Sequence, residues 1–157
     1  MEAYDKNCWR TPDSLFQPLH QEFGFVLDAA ASVGAEKCPL FIPPELDSLA
    51  TSWADMAPAG SQVWINPPFN PMQPWADKVL QEYRSGMNVV MVANAATGTK
   101  WFRQLAEASS QIRFTTGRVS FLHPNTGEPV GGNNMAQAIF VLQHDRTYDE
   151  RVIWFNV

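Results

Sequence analysis

Cysteine is scarce in this chain: Cys8 and Cys38 are the only two among 157 residues, and no C-x-x-C spacing connects them. A disulfide scaffold is therefore excluded, and a reduced, cytoplasmic compartment is the simplest expectation. Histidine is scarce too. His20, His123 and His144 are scattered without metal-ligand spacing, so no metal site is expected. No apolar run approaches the roughly 20 residues of a membrane span, and no signal peptide opens the sequence, so no membrane partner is expected. Basic charge is in deficit, with 11 Lys and Arg against 16 Asp and Glu and a net charge of −5. That balance argues against coating a nucleic acid by charge alone and leaves room for a local basic face. Repeats, low-complexity tracts and linkers are missing as well. The length fits one domain, residues 1–157, with a real core.

What is present alternates. Thr11 as a cap, Pro12 in the first turn and Leu15, Phe16 and Leu19 at helical spacing predict a helix over Asp13–Phe23, ended by Gly24. Apolar triplets at residues 25–27 and 40–42 and the run Gln62–Ile65 read as strands, and residues 47–54 as a helical turn. Trp75, Val79, Leu80 and Tyr83 share one helical face up to Gly86. Residues 88–93, NVVMVA, have the nearly unbroken apolar character of a central parallel strand. A helix over Lys100–Ala108 and a strand over Gln111–Thr115 follow. Residues 118–122, Gln137–Leu142 and Val152–Phe155 then read as strands without helices between them, around a polar loop at 123–134. The expected fold is α/β: a mostly parallel sheet with antiparallel C-terminal strands.

Ligands of open α/β sheets gather at the carboxyl ends of the strands, and two such ends carry unusual residues. Asp28 is followed by Ala29, Ala30 and Ala31, small residues that let a ligand approach the backbone, while the carboxylate can accept hydrogen bonds from amino or hydroxyl groups. The second end is Asn66-Pro67-Pro68-Phe69. Two successive prolines remove two donors and stiffen the chain. The Pro67 carbonyl and the Asn66 side-chain oxygen can then face one substrate group as acceptors, with Phe69 offering a ring for stacking. Two acceptors and a ring suit an exocyclic aromatic amine. Holding its N–H groups out of conjugated geometry concentrates its otherwise delocalised lone pair towards an electrophile.

These residues resemble a family. N-P-P-F looks like the (D/N/S)-P-P-(Y/F) motif of amino methyltransferases that use S-adenosyl-L-methionine. The ordered set W-R-T-P-x-x-L-F from Trp9, L-D-A-A-A-S from Leu27, D-S-L-x-x-x-W from Asp47, N-P-P-F, T-x-x-W-F ending at Phe102, G-R-V-S-F from Gly117 and Q-A-I-F-V from Gln137 is similar to the phage-type DNA N-6-adenine-methyltransferase family over about nine tenths of the chain. The resemblance implies a Rossmann-like S-adenosylmethionine-dependent fold and double-stranded DNA as substrate. It implies catalytic roles for Asn66, Pro67, Pro68 and Phe69. It also implies cofactor contacts from Thr11, Pro12, Asp28, Ala29 and Ala30; Trp9 and Asp47 are further candidates for that pocket. Two departures stand out: alanines replace the glycines usual after the first strand, and Phe69 replaces the commoner tyrosine. The short stretch before Gln62 also leaves too little chain for two full strand–helix units, so the cofactor half should be abbreviated.

Among the remaining residues, Lys100, Arg118, Asn133 and Asn134 are candidate nucleic-acid contacts, Arg118 the foremost. Trp64 and Trp154 read as core. Target recognition would fall to residues 123–134 and 70–74, which predicts a short or loosely defined site. The acceptor itself stays open between DNA adenine, RNA adenine, cytosine N4 and a protein glutamine, and an inactive DNA-binding module is the non-enzymatic alternative.

Overall fold

The computed structural model describes residues 8–32 and 34–157. One seven-stranded sheet organises them. Its strands are β1 (Leu27–Asp28), β2 (Leu40–Phe41), β3 (Gln62–Ile65), β4 (Asn88–Asn94), β5 (Gln111–Thr115), β6 (Gln137–Leu142) and β7 (Val152–Phe155), in the order β2-β1-β3-β4-β6-β5-β7. The helices are α1 (Asp13–Phe23), α2 (Gln73–Arg84) and α3 (Lys100–Ala108). The pattern is that of a Rossmann-like methyltransferase fold. Leu27 pairs with Val63 and Val63 with Val89, so the predicted first, third and central strands share one sheet.

The sheet separates two cores. On one face Val63, Ile65, Val89, Met91 and Ala93 meet α2 and α3 through Ala76, Val79, Phe102 and Leu105. On the other, Trp64, Val90, Val92, Ile139 and Val141 meet Leu15, Phe16, Leu19 and Phe23 of α1, together with Val119 and Phe121. Burial on both sides explains why β4 lacks the polar alternation of a surface strand. Phe16 sets its ring edge against Trp64 at 5.2 Å, and each large ring so buried contributes about 1.5–3 kcal/mol through burial.

Several boundaries differ from the sequence reading. The N-cap of α1 is Pro12, extended at φ −72° and ψ 151° with no side-chain cap bond; Thr11 turns its hydroxyl to Asn66 instead. The first strand is Leu27–Asp28, because Phe25 leaves the sheet to pack under α1. The second is Leu40–Phe41. Two 3₁₀ turns, Pro44–Leu46 and Trp53–Asp55, bracket the expected helical turn, with Asp47 closing the first at φ 48°. Residues 118–122 form no strand; Leu122 makes isolated bridges to Arg10 and Pro129 while Val119 and Phe121 plug into the α1-side core. Only β6 runs antiparallel. It is inserted between β4 and β5, and β7 is parallel to β5. Trp154, expected in the core, is 72% exposed on the β7 edge strand.

Strand direction decides where the function-bearing residues meet. With β1 to β5 and β7 all pointing one way, Asp28, Asn66, Asn94 and the turn after Thr115 emerge at the same end of the sheet. The antiparallel β6 begins there with Gln137. No helix among the described residues is long and apolar enough to cross a membrane.

Candidate active site

At that end lies a cavity of about 310 Å³, the lower range for small-molecule sites. It is lined by Asp28 and Ala30, by the rings of Trp9, Trp64 and Trp75, by Thr11, Asn66 and Pro68, and by Asp47 and Ser48. Trp9, Thr11, Asp28, Ala30, Asp47 and Asn66, chosen from sequence, are thus brought together although they are spread over nearly sixty positions. Pro12 and Ala29 are buried beside them.

Asp28 is 3% exposed. Its carboxylate accepts the backbone N–H of Lys37 at 3.0 Å and that of Ala30 at 3.3 Å, and so staples the loop between β1 and β2 around itself. An asparagine would present an amide N–H₂ to one of these two donors, which accounts for an aspartate here. Burial raises its pKa to about 6, with those two N–H donors and the Lys37 charge pulling the other way. Close by, burial first and the Asp28 charge second push the Cys38 thiol up to about 12, so it stays an uncharged thiol.

The corner is the second half of the site. Asn66 Nδ2 donates to Thr11 Oγ1 at 2.8 Å, while Asn66 Oδ1 is buried and accepts from no group among the described residues. An unpaired buried acceptor costs about 1–3 kcal/mol. Thr11, chosen for the cofactor pocket, therefore also orients the side chain of the corner. Phe69 stands edge-on to Trp9 at 6.1 Å and to Phe121 at 5.6 Å, while Trp9 and Phe121 stack at 6.0 Å. This ring cluster fixes Phe69 and leaves it partly exposed.

The other candidates lie outside the cavity lining. Lys100 opens α3 and Arg118 follows β5, both exposed. Arg118 Nη1 donates to the Asn133 carbonyl at 3.2 Å. Asn133 gives its amide N–H₂ to the Val119 carbonyl at 2.9 Å and accepts the Met135 N–H at 3.3 Å, so its side chain braces the loop. Asn134 is exposed. Arg113, in the middle of β5, is buried in a bidentate pair with Glu22 near the end of α1, at 2.5 and 2.6 Å. Sequence reasoning did not assign Lys37, Ser48 or Trp75 to the pocket: Lys37 is carried in by the loop between β1 and β2, Ser48 follows Asp47 within the D-S-L segment, and Trp75 comes from the first turn of α2.

The family model described as DNA N-6-adenine-methyltransferase (Dam) matches residues 1–155. The chain is 31% identical over 148 residues to the DNA N-6-adenine-methyltransferase of Haemophilus phage HP1, covering 92% of this chain and 83% of that protein. It is 25% identical over 154 residues to the DNA N-6-adenine-methyltransferase of Escherichia phage T1, covering 88% of this chain and 63% of that protein.

Proposed function

Because this chain belongs to the DNA N-6-adenine-methyltransferase family, we propose that it transfers a methyl group from S-adenosylmethionine to N6 of an adenine in double-stranded DNA. The observation that carries the reading is the Asn66 amide. Its N–H₂ end is held by Thr11 and its oxygen is buried without a donor among the described residues, so the corner holds an acceptor in reserve for an incoming group.

The cavity suits the methyl donor. Asp28 would take its cationic or hydroxyl-bearing part, Trp9, Thr11 and Pro12 would flank it, the backbone at Ala29 and Ala30 allows close approach, and Asp47 closes one side. When bound, S-adenosylmethionine supplies an electrophilic methyl group. The protein's work is on the acceptor. The adenine must leave its base stack to bring N6 in line, since the amine is paired and stacked in duplex DNA. Phe69 holds the extruded ring by stacking, worth about 1–3 kcal/mol. Asn66 Oδ1 and the Pro67 carbonyl take the two N6 hydrogens and direct the lone pair at the methyl carbon. Positive charge grows on N6 as the new bond forms, so both acceptors bind the transition state better than the ground state. One N6 proton then leaves to solvent, and no strongly basic side chain is required.

Lys100, Arg118 and the loop carrying Asn133 and Asn134 ring the same end of the sheet and would meet the DNA backbone, with a short or loosely defined target as the consequence. The test is nucleoside mass spectrometry of DNA and RNA from cells expressing wild type and Asn66→Ala. N6-methyladenine in DNA from wild type alone is the expected result, with turnover of the variant lower by about 10²-fold and cofactor affinity unchanged. Methylated RNA or N4-methylcytosine in its place would overturn the acceptor, and wild-type turnover by Asn66→Ala would overturn the role of the corner.

A further inference from the structure

The G-R-V-S-F segment carries Arg118, while Gln137, which opens Q-A-I-F-V, has no role in the methyl transfer itself. Its setting is unusual. Side-chain alternation along β3, β4 and β6 puts Trp64, Val90, Val92, Ile139 and Val141 on the α1 side. Two residues further along, the same alternation brings Asn66, Asn94 and Gln137 to that face. Asn94 and Gln137 are paired partners across β4 and β6, on the strand next to the corner and on the face where Phe69 and Phe121 pack.

Gln137 is fully buried, and its backbone N–H donates to Thr115 Oγ1 at 3.0 Å. Its Nε2 donates to Asn94 Oδ1 at 2.9 Å and lies 3.4 Å from the Met135 carbonyl, while its Oε1 has no donor among the described residues. A backbone carbonyl cannot be turned round, so the nitrogen end of Gln137 must face it. That choice fixes Asn94: its oxygen points inward to Gln137, and its N–H₂ is left at the half-exposed strand end with no acceptor among the described residues.

We propose that Asn94, aligned by Gln137 as a positioning residue, reads the ring nitrogen next to the exocyclic amine of the extruded base. This rests on the adenine reading above and adds how guanine and thymine are refused; cytosine, with an unprotonated N3 beside its amine, passes the same contact. Adenine presents an unprotonated N1 beside its amine; guanine and thymine present an N–H at the equivalent place. An Asn94 donor bonds the first and is opposed by the second, so selection comes from repulsion as well as attraction. Asn66 and Pro67 hold the amine, and Asn94 requires the acceptor beside it.

The experiment first locates the methylated positions by sequencing. It then measures kcat/KM on duplexes carrying adenine or 1-deazaadenine at one such position, for wild type, Asn94→Ala, Asn94→Asp and Gln137→Glu, each checked for melting temperature and S-adenosylmethionine binding. Wild type should lose about tenfold on 1-deazaadenine beyond any intrinsic change in reactivity, which the variants share. Asn94→Ala should be about tenfold slower on adenine and lose nothing further on the analogue. Asn94→Asp still accepts from Gln137 but offers the base no donor, so a merely structural asparagine would tolerate it and a reading one would not. Gln137→Glu should reverse the Asn94 amide and abolish the discrimination too. Equal discrimination in wild type and Asn94→Ala, or full activity of Asn94→Asp, overturns the assignment. A wild-type protein inactive on adenine DNA would instead overturn the reaction itself.

Discussion

Asp28 ties stability and cofactor binding to pH in a way that can be worked through. Its pKa is about 6 in the folded chain against 3.8 for an ordinary aspartate, and the difference of about two units corresponds to about 3 kcal/mol. The folded value is the higher one. The carboxyl's favourable contribution to stability is therefore fully present below pH 3.8 and is lost as pH rises through about 6, leaving a buried charge at neutral pH. A cationic group of the donor placed against that charge reverses the balance. Affinity should climb by up to tenfold per pH unit between about 4 and 6 and flatten above, with proton release on binding near pH 6. Asp28→Ala should weaken binding by about 1.5–3 kcal/mol at pH 7.5, the range for a hydrogen bond to a charged group, and should remove the pH dependence. Calorimetry from about pH 4 to 8, in two buffers of different ionisation enthalpy at each pH, measures both effects. A flat affinity across that range, with a folded Asp28→Ala variant binding as tightly as wild type, would refute the assignment of Asp28 to the cofactor.

Phe69→Ala should raise the KM for DNA by roughly 5–150-fold, the loss of about 1–3 kcal/mol of base stacking, with cofactor affinity unchanged; Phe69→Tyr keeps the ring and should remain active, and steady-state kinetics decides between them. Lys78→Met should cost about 3–5 kcal/mol in urea unfolding, because the buried Lys78–Glu82 pair is lost while Glu82, which also accepts the Trp53 N–H at 3.2 Å, is left enclosed without its partner. A double change, Lys78→Met with Glu82→Gln, should recover a good part of that loss; no recovery would mean that the cost lies in packing around Trp53.

The strand–helix alternation was legible because each segment states its own period. The apolar run of β4, the helical stripe of α2 and the bounds of α1, α3, β5, β6 and β7 follow from local pattern, and the proline corner is visible as chemistry out of place at a strand end. Asp28 and Asn66 could be named for the same reason. Local pattern could not decide which way the late strands run. Gln137–Leu142 enters between β4 and β5 because that slot buries both of its faces, whereas β7 is left at the edge with Trp154 exposed. Residues 118–122 have strand-like composition yet pair with nothing along most of their length, since Phe121 is drawn into the ring cluster over the sheet. The role of Thr11 changed from cap to partner of Asn66, a contact between residues 55 apart that no period encodes. The same holds for Lys37 folding its N–H back onto Asp28 and for Gln137 turning Asn94 outward. Sequence alone determined which residues carry acid, amide and ring at the strand ends. Tertiary structure decided which atoms of those residues remain unsatisfied, because a hydrogen-bond balance is settled only when distant segments close on one another.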